Sequence, residues 1–369
     1  MKVLFCAPYL TEEGIVQGGI GVWANNILEY YKTINSDVML YPLSFDRRYN
    51  VSDKSTIFDR IFYGLRDLWK PIKATKRYIS ENKVDVIHLC SSAQLSLFKD
   101  LYVVKMAKRK GVKTVIHFHF GRIPELMSAN NWEAKMIKRV CRVADRVIVM
   151  DKKSLGALND AGFRYVYNIP NPLSISIIEE TNRIKATITR VENRVMYVGH
   201  IIPSKGITEL VKACMQIDSI ELHLIGTVTR EYLQELKSMA NVKQDGKWLI
   251  YRGKMPHDKV ISELFTAGIF CLPSYTEGFP NVILESMASG CSIVATPVGA
   301  IPEMLQFDSN EMCGLEVSVG DVDSIVKQIS ELLFNNDLRY NCRKNAVKRV
   351  NELYAIPVVW NQLQNIWRL

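Results

Sequence analysis

The sequence lacks any apolar run long enough to cross a membrane. A transmembrane helix requires roughly 20 consecutive, mostly apolar residues, and no segment of the 369-residue chain approaches that length. The first residues, Met1–Pro8, form too short an apolar stretch for a secretory leader and include no small-residue cleavage site. They indicate a first β-strand instead, so we expect a protein of the cytoplasm.

The eight cysteines lack the spacing of a metal site or a disulfide framework. No CxxC pair occurs, and several cysteines lie inside apolar runs, where a free thiol behaves as a small hydrophobic side chain. Examples are Cys6, Cys90, Cys271 and Cys291. This cysteine usage favours a reducing compartment, in agreement with a cytoplasmic protein.

Acidic residues are scarce in the first half of the chain. Residues 1–172 contain 27 Lys and Arg against 16 Asp and Glu, whereas the remainder contains 20 against 22. The whole surplus behind the net charge of +9 therefore lies in the first half, which we expect to face an anionic partner. Nucleic acid, an acidic lipid surface and a phosphate-bearing acceptor all fit this charge. Nucleic acid fits least, because no binding motif for it is recognised.

The chain is rich in short apolar runs that alternate with helical segments. Continuous apolar and β-branched runs are typical of strands buried on both faces of a parallel sheet. The pattern is broken at Ile169–Pro172 and starts again near residue 194. We therefore predict an α/β fold of two Rossmann-like parallel-sheet domains that face each other across a cleft. The predicted parts are an N-terminal domain at 1–172, a polar, helix-prone linker at 173–192, a second domain at 193–350 and a C-terminal helix at 351–369.

Glycines and histidines follow strands of the first predicted domain. Gly18 and Gly19 stand after the first strand and open a helical pattern, where they would let the backbone approach an anion. A purely structural turn is an equally good interpretation, because the GxGxxG spacing is absent. His117 and His119 close the fourth strand, and alternation places both on one side of the sheet. They point either towards a ligand or into a core position.

Strands of the second predicted domain end in glycines that allow the close approach of a phosphate. These glycine ends and their neighbours are Gly199-His200, Gly226 and Arg252-Gly253-Lys254-Met255. Lys205 follows the first of them, and would supply a fixed cation for a diphosphate. Arg252 is interpreted equally well as a solvated surface charge.

The most specific segment runs from Ser274 to Gly290. Two glutamates, Glu277 and Glu285, stand eight residues apart around a glycine-containing turn and the start of a helix. Backbone N–H groups at a helix start suit a phosphate. Carboxylates suit sugar hydroxyls, because a carboxylate accepts several hydrogen bonds. Glu285 could instead be a charge on the helix surface, but the apolar Met287-Ala288 beside it argues against that.

Over nearly its whole length, and most strongly from Tyr197 to Glu303, the sequence resembles the group 1 family of retaining glycosyltransferases with the GT-B fold. That family includes glycogen-synthase-like and phosphatidylinositol-mannosyltransferase-like enzymes. The pair Glu277 and Glu285 around Gly278-Phe279 is similar to the family's E-x7-E motif. The resemblance implies metal-independent transfer, with retention, of a sugar from a nucleotide-diphosphate sugar to an acceptor. It also implies a final helix that crosses back onto the first domain.

The resemblance further implies roles for single residues. The catalytic residues would be Glu277, which binds hydroxyls of the donor sugar, Lys205, which stabilises the departing diphosphate, and His119, which lies near the reacting sugar. Glu285 would hold the ribose, and the loop that contains Arg252, Gly253 and Met255 would bracket the base. Gly18 and Gly19 would form a loop near the donor phosphate and the acceptor. The full set of expected donor-binding residues is Gly19, Gly199, His200, Lys205, Gly226, Arg252, Gly253, Met255, Glu277, Gly278, Phe279, Pro280, Asn281, Val282 and Glu285.

His200 departs from the family pattern, which usually has Arg or Lys at this place. Arginine is always charged, whereas histidine titrates near neutrality. Either His200 is protonated beside the diphosphate or Lys205 carries more of the stabilisation. No DxD-type carboxylate pair is positioned for a metal, so we expect neither a metal nor a cofactor. Two rival functions stay open: an NDP-sugar epimerase on the same fold, and a catalytically inactive, glycosyltransferase-like partner protein.

A basic and aromatic stretch at residues 56–80 has apolar side chains at helical spacing with cations between them. This pattern is typical of a helix on an anionic membrane surface, and Pro71 is expected to kink or split it. A helix that turns its apolar stripe to the core is an equally good interpretation. The expected membrane contacts are Phe58, Phe62, Arg66, Trp69, Lys70 and Lys73. With a second basic stretch at 132–146, the charge favours a peripheral protein on the inner face of the membrane. It also favours a lipid-linked saccharide acceptor used in cell-surface polysaccharide synthesis.

Overall fold

The computed structural model describes residues 1–8, 19–45, 57–184 and 188–369, with the side chains of 57–68 and 244 outside the described part. The chain divides into two units. Unit 1 comprises Met1–Pro172 together with Ile356–Leu369, and unit 2 comprises Leu173–Ala355. All eight cysteines are buried free thiols, as their place in apolar runs predicts.

Unit 1 is built on a parallel sheet of six strands. Its strands are β1 (Lys2–Ala7), β2 (Met39–Ser44), β3 (Val86–Ser91), β4 (Lys113–Phe118), β5 (Arg146–Val149) and β6 (Val166–Asn168). They lie in the order β2-β1-β3-β4-β5-β6. Every residue of β3 is buried, because helices cover both faces of the sheet.

Seven helices of unit 1 lie in its described part. They are α1 (Gly19–Thr33), α2 (Ile57–Glu81), α3 (Ser96–Arg109), α4 (Ile123–Ala129), α5 (Trp132–Val143), α6 (Lys152–Asp160) and α15 (Ile356–Arg368). Asn131 and Asp151 cap the first turns of α5 and α6 with their side-chain oxygens. Of the two effects expected of Pro71, a kink or a split, the split is wrong: α2 runs through Pro71, and the Thr75 hydroxyl donates to the Pro71 carbonyl oxygen at 2.8 Å. Within the described residues, no helix is long and apolar enough to span a membrane.

Helix α15 packs against α1 through large aromatic side chains. The Trp360 ring lies 5.7 Å from the Tyr31 ring, and the Trp367 Nε1–H donates to His88 Nδ1 at 3.0 Å. The helix begins at Ile356, and not at residue 351 as the sequence predicted. Val350–Tyr354 form a π-helical turn that stays in unit 2, where the Tyr354 carbonyl accepts a hydrogen bond from the Leu173 N–H at 2.7 Å.

Unit 2 carries the second six-stranded parallel sheet. Its strands are β7 (Val191–Val198), β8 (Glu221–Ile225), β9 (Leu249–Gly253), β10 (Ala267–Leu272), β11 (Ser292–Ala295) and β12 (Leu315–Glu316). The order β12-β11-β10-β7-β8-β9 is that of a Rossmann fold, and the direction of winding reverses between β7 and β10. In such sheets a ligand binds beyond the carboxyl ends of the two strands at this switch point.

The helices of unit 2 include a segment that the sequence assigned to a linker. They are α7 (Ile175–Ile184), α8 (Ile207–Met215), α9 (Arg230–Ala240), α10 (His257–Thr266), α11 (Asn281–Ala288), α12 (Ile301–Leu305), α13 (Val322–Phe334) and α14 (Asn336–Arg349). The predicted linker at 173–192 is wrong for two reasons. Helix α7 buries Ile177 and Ile184 and packs against α10 and α11, and β7 already begins at Val191. The segment is helical, as its helix-prone sequence indicates, but its mostly polar composition did not indicate that two isoleucines pack it into unit 2.

Candidate functional site

A lysine, a glutamate and a serine meet at the switch point of unit 2. Lys205 ends a short 3₁₀ turn that follows β7, and Ser274 and Glu277 follow β10. The Lys205 Nζ lies 2.7 Å from Glu277 Oε1, and the Ser274 hydroxyl donates to the same oxygen at 2.7 Å. Ser274 is fully buried, whereas the Lys205 and Glu277 side chains are partly exposed. A fixed cation and an oriented carboxylate therefore stand together where the fold places ligands.

Close backbone packing holds the two loops of this site together. A Cβ at Gly206 would lie 2.1 Å from the Pro273 carbonyl oxygen, so only glycine lets the turn at 203–206 approach the end of β10. The Tyr275 N–H also donates to the Ser204 carbonyl oxygen at 3.1 Å. The spacing between Lys205 and Glu277 is thus set by backbone contacts and does not depend on side-chain packing alone.

The glycines at the ends of β7, β8 and β9 pack against each other. A Cβ at Gly226 would lie 1.8 Å from the Gly199 carbonyl oxygen, and the Gly226 N–H donates to the Gly253 carbonyl oxygen at 3.0 Å. The close approach of the strand ends therefore explains why position 226 requires glycine, and no ligand is needed for that explanation. The backbone of His200 is fixed by the Tyr197 hydroxyl, which donates to its carbonyl oxygen at 2.8 Å, and the His200 side chain is exposed.

The second glutamate of the motif lies in the next helix and is paired with a histidine. Glu285 belongs to the second turn of α11 and is nearly buried. Its Oε1 lies 3.0 Å from Nε2 of His257, the first residue of α10. This hydrogen bond is the largest cause that raises the pKa of His257 above its usual 6.5, against the opposing effect of burial. Sequence reasoning missed His257, because no spacing pattern connects it to Glu285.

The segment between the two glutamates places backbone amides at a helix start. Pro280 precedes α11, and the helix begins at Asn281-Val282, so the first amides of the helix follow Gly278-Phe279. Phe279 is buried, with its ring 6.0 Å from the ring of Tyr354. The first turn of a helix leaves N–H groups without partners inside the helix, which suits a phosphate.

The loop after β9 carries the remaining residues expected to bind the donor. Arg252 is exposed and forms an ion pair with Glu263 of α10, with a separation of 2.6 Å. This favours the interpretation of Arg252 as a surface charge. Met255 is half-buried and stands two residues before His257. The loop therefore connects the strand end at Gly253 directly to the partner of Glu285.

In unit 1 the structure groups His119 with other aromatic side chains. The His117 and His119 rings stack at 3.9 Å, on the same side of the sheet as alternation predicts, and Trp23 of α1 lies edge-on to both. His88 lies 5.4 Å from His117. Burial lowers the pKa of His88 to about 3, and it lowers the pKa values of His117 and His119 well below 6.5, with a smaller contribution from the neighbouring imidazoles. Three neutral imidazoles therefore share one cluster.

The N-terminal glycines are only partly covered by the structure. Gly19 is the first residue of α1, whereas Gly18 lies outside the described residues. Of the expected site residues, unit 2 brings Lys205 and Glu277 together and places Glu285 beside His257; unit 1 holds Gly19 and His119. Among the described residues, no group of three or more His, Cys, Asp or Glu side chains is arranged to hold a metal ion.

The two Rossmann-like units, with the expected site residues at the carboxyl ends of parallel strands, show that the chain has the GT-B fold. The family model described as "Glycosyl transferases group 1" matches residues 178–349, and the model described as "Glycosyltransferase Family 4" matches residues 17–176. The chain therefore belongs to the group 1 glycosyltransferases, and the family and fold inferred from the sequence are confirmed, whereas transfer with retention stays a prediction.

Individual relatives agree with this assignment. The chain is 29% identical over 177 residues to the capsular polysaccharide biosynthesis glycosyltransferase CapM of Staphylococcus aureus, a match that covers 46% of this chain and 44% of that protein. Sucrose-phosphate synthase from Thermosynechococcus elongatus has the same fold with a TM-score of 0.75 and 18% identity, over 100% of this chain and 98% of that one. The Anabaena protein HepE in complex with UDP gives a TM-score of 0.71 at 16% identity, with 99% of each chain covered.

Proposed function

We propose that this enzyme transfers a sugar from a nucleotide-diphosphate sugar to a saccharide acceptor, with retention and without a metal ion. The observation that carries the proposal is the meeting of Lys205, Ser274 and Glu277 at the switch point of unit 2. HepE, which shares the fold, binds UDP, and CapM is named for capsular polysaccharide biosynthesis. Both names support a nucleotide-sugar donor and a saccharide product.

The charges of the site suit the departure of a diphosphate. In the donor complex, the Lys205 ammonium group and the first amides of α11 face the diphosphate, and they stabilise the negative charge that develops on it. Glu277 accepts hydrogen bonds from hydroxyls of the donor sugar. Because the Glu277 carboxylate is already held by Lys205 and Ser274, we assign it to sugar binding and not to nucleophilic attack. Glu285 binds the ribose hydroxyls. The acceptor hydroxyl then attacks from the face that the diphosphate leaves.

The test is a transfer assay in the presence of EDTA, with the anomer of the product read by NMR. We expect full activity in EDTA, a product with the donor's anomeric configuration, and a loss of at least 100-fold for Lys205→Ala or Glu277→Gln, the loss typical when one group that stabilises a transition state is removed. Lys212→Ala, which removes an exposed cation of α8, is the matched control and keeps full activity. Activity that disappears with EDTA, or an inverted product, contradicts the proposal. Donor turnover without any acceptor would favour the epimerase.

We also propose that unit 1 binds an anionic membrane, which brings the enzyme to a lipid-linked acceptor. Helices α2, α3 and α5 pack side by side. Large side chains on them are exposed and paired: the Phe98 and Trp132 rings stack at 6.2 Å, and Trp69 lies edge-on to Tyr102 at 6.2 Å. Phe98 and Tyr102 are four residues apart and share one face of α3. These four side chains, Trp69, Phe98, Tyr102 and Trp132, form the aromatic row.

The three helices that carry the aromatic row also carry many exposed cations. The exposed cations of the three helices, within the part whose side chains are described, are Lys70, Lys73, Lys76, Arg77, Lys105, Lys108, Arg109, Lys135, Arg139 and Arg142. Of the acids of these helices whose side chains are described, Asp100 and Glu133 are buried and the exposed Glu81 is paired with Arg77. Lys108 is paired with Asp145, which follows α5. Aromatic side chains among cations match an anionic lipid surface. The expected contacts Trp69, Lys70 and Lys73 are exposed here, whereas the side chains of Phe58, Phe62 and Arg66 lie outside the described part.

Liposome flotation tests the membrane proposal. We expect binding to phosphatidylglycerol vesicles at low salt, weaker binding at high salt, and little binding to phosphatidylcholine. The double variant Phe98→Ser/Trp132→Ser should bind at least tenfold more weakly. Phe334→Ser, which removes an exposed phenylalanine of unit 2, is the control and should bind as the wild type does. Equal binding of the double variant and the wild type contradicts the aromatic row as the contact.

A further inference from the structure

The contact between His257 and Glu285 takes no part in the proposed transfer step. His257 Nε2 lies 3.0 Å from Glu285 Oε1, and Glu285 is only 9% exposed. A carboxylate so far removed from water needs hydrogen-bond donors, because an unpaired buried charge is costly. His257 supplies one such donor from the start of a different helix. The orientation of the Glu285 carboxylate is thus fixed by a residue outside its own helix.

The charged groups around His257 leave Glu285 as its main electrostatic partner. Asp258 is the neighbouring residue in α10 and adds a smaller attraction for a positive imidazole. On α7, Glu180 and Arg183 pair with each other at 2.6 Å, and Glu180 interacts further with Asp258 and Lys259. The bond to Glu285 is therefore the strongest contact that acts on the imidazole.

We propose that His257 is a positioning residue for the ribose of the donor. Its Nε2–H donates to Oε1 of Glu285 and holds the carboxylate so that Oε2 accepts hydrogen bonds from the ribose hydroxyls. The inference rests on the proposed function, in which Glu285 binds the ribose. It adds that the preference of this enzyme for a ribonucleotide over a 2′-deoxyribonucleotide depends on a histidine one helix away.

The position of His257 in the chain connects its contact with Glu285 to the loop after β9. His257 follows directly after the loop at 252–256, which connects β9 to α10 and is expected to contact the base. The residues proposed to recognise the base and the ribose therefore form one continuous segment, residues 253–257, together with Glu285. A nucleotide that displaces the loop also displaces His257, whose N–H orients the Glu285 carboxylate.

The test compares the affinities of UDP and 2′-deoxy-UDP by calorimetry, or of GDP and 2′-deoxy-GDP if guanosine proves to be the preferred nucleoside. A hydroxyl bonded to a charged group contributes about tenfold to affinity, so we expect the wild type to bind UDP about tenfold more tightly than 2′-deoxy-UDP. His257→Phe should reduce that ratio to less than threefold. His257→Gln keeps a donating N–H and should restore the ratio. Lys259→Ala, an exposed change in the same helix, is the control and should leave it unchanged.

The dependence on pH separates positioning from a merely structural role. A charge-assisted hydrogen bond is stronger than a neutral one. Because the pKa of His257 is raised above 6.5, mainly by the hydrogen bond to Glu285, the preference for UDP should be larger at pH 6 than at pH 8.5. The glutamine variant does not titrate and should show the same ratio at both values. This readout holds even if His257→Phe proves too unstable to measure.

The outcomes distinguish this inference from the proposed function. If the wild type binds none of UDP, GDP, ADP or TDP, the proposed function fails and the inference fails with it. If the wild type binds UDP and prefers it to the deoxy form, while His257→Phe keeps the same ratio, the positioning role is overturned and the donor site stands. A ratio that is lost in Glu285→Gln but unaffected in His257→Phe also overturns it. A wild type without any preference overturns the ribose contact itself.

Discussion

At the scale of single residues, the orientation of the Glu277 carboxylate depends on two groups. Its Oε1 receives the Lys205 ammonium group and the Ser274 hydroxyl, and the serine is anchored in turn because the Thr296 hydroxyl donates to its carbonyl oxygen at 2.6 Å. Ser274 is fully buried and has no exposed surface to offer a substrate. We therefore interpret it as the residue that orients Glu277.

Ser274→Ala should lower kcat/KM while the protein stays folded. Removal of a hydrogen bond to a charged group costs about 1.5–3 kcal/mol, which corresponds to a decrease of about tenfold or more in kcat/KM. Steady-state kinetics with the preferred donor measures this. Ser289→Ala removes a buried hydroxyl of the same type, which bonds the Glu285 carbonyl oxygen, and should leave kcat/KM within about twofold. Equal effects of both variants would argue against the role of Ser274.

The histidine cluster of unit 1 should make the stability of the protein depend on pH. Burial lowers the folded-state pKa values of His88, His117 and His119, to about 3 for His88, whereas an unfolded histidine has a pKa of about 6.5. Below pH 6.5 the unfolded chain therefore binds more protons than the native protein. Stability is fully present above pH 6.5 and is lost as the pH falls, by up to about 1.4 kcal/mol per pH unit for each histidine.

Urea unfolding at pH 7.5, 6.0 and 5.0 checks this dependence. Both ring nitrogens of His117 are buried without a hydrogen-bond partner among the described residues, so His117→Phe removes a titrating group and no hydrogen bond. We expect its free energy of unfolding to decrease less between pH 7.5 and 5.0 than that of the wild type, by about 1–2 kcal/mol. The larger ring can lower stability at every pH, so the difference between pH values is the quantity to compare. Parallel pH profiles would contradict the account.

At the scale of secondary structure, elements with a strong apolar pattern were predicted, whereas packing that depends on few apolar residues was not. The continuous apolar runs of β1, β4 and β10 predict buried parallel strands, because runs of this length are short for a helix and are typical of strands covered on both faces. Helix α7 was predicted as a helix-prone segment but was assigned to a linker, because only two isoleucines face its core. The exposed row on α3 could not be predicted, because Phe98 and Tyr102 look the same in a sequence whether they face the core or the solvent.

Helix α15 should contribute to the stability of unit 1 through its aromatic side chains. Trp360 is 2% exposed and packs against Tyr31 and Trp367. We expect Trp360→Ala to decrease the free energy of unfolding by about 3–5 kcal/mol, as large-to-small changes in a core do. Chemical denaturation measures this. Trp132→Ala removes an exposed tryptophan and should cost less than about 1 kcal/mol. A small loss for Trp360→Ala would mean that α15 is dispensable for the fold.

At the scale of the whole molecule, the sequence specified the fold and the donor motif but not the contacts within them. Two runs of alternating strands and helices predict two parallel-sheet domains, and the resemblance of the E-x7-E spacing to the family motif predicts that the second of them binds the donor. The pairing of His257 with Glu285 joins two helices that start 24 residues apart, and no local pattern specifies it. The boundary at residue 356 likewise depends on the hydrogen bond from Leu173 to Tyr354, which joins segments far apart in the chain.

The central claim is that unit 2 binds a nucleotide-diphosphate sugar through Lys205 without a metal. Calorimetric titration of UDP-, GDP-, ADP- and TDP-sugars in the presence of EDTA, with the wild type and Lys205→Ala, tests it most directly. We expect one nucleotide class to bind the wild type and its affinity to fall at least tenfold in Lys205→Ala, because a charge-assisted contact to the diphosphate is lost. Absence of binding to the wild type, or equal affinity for the variant, would contradict it.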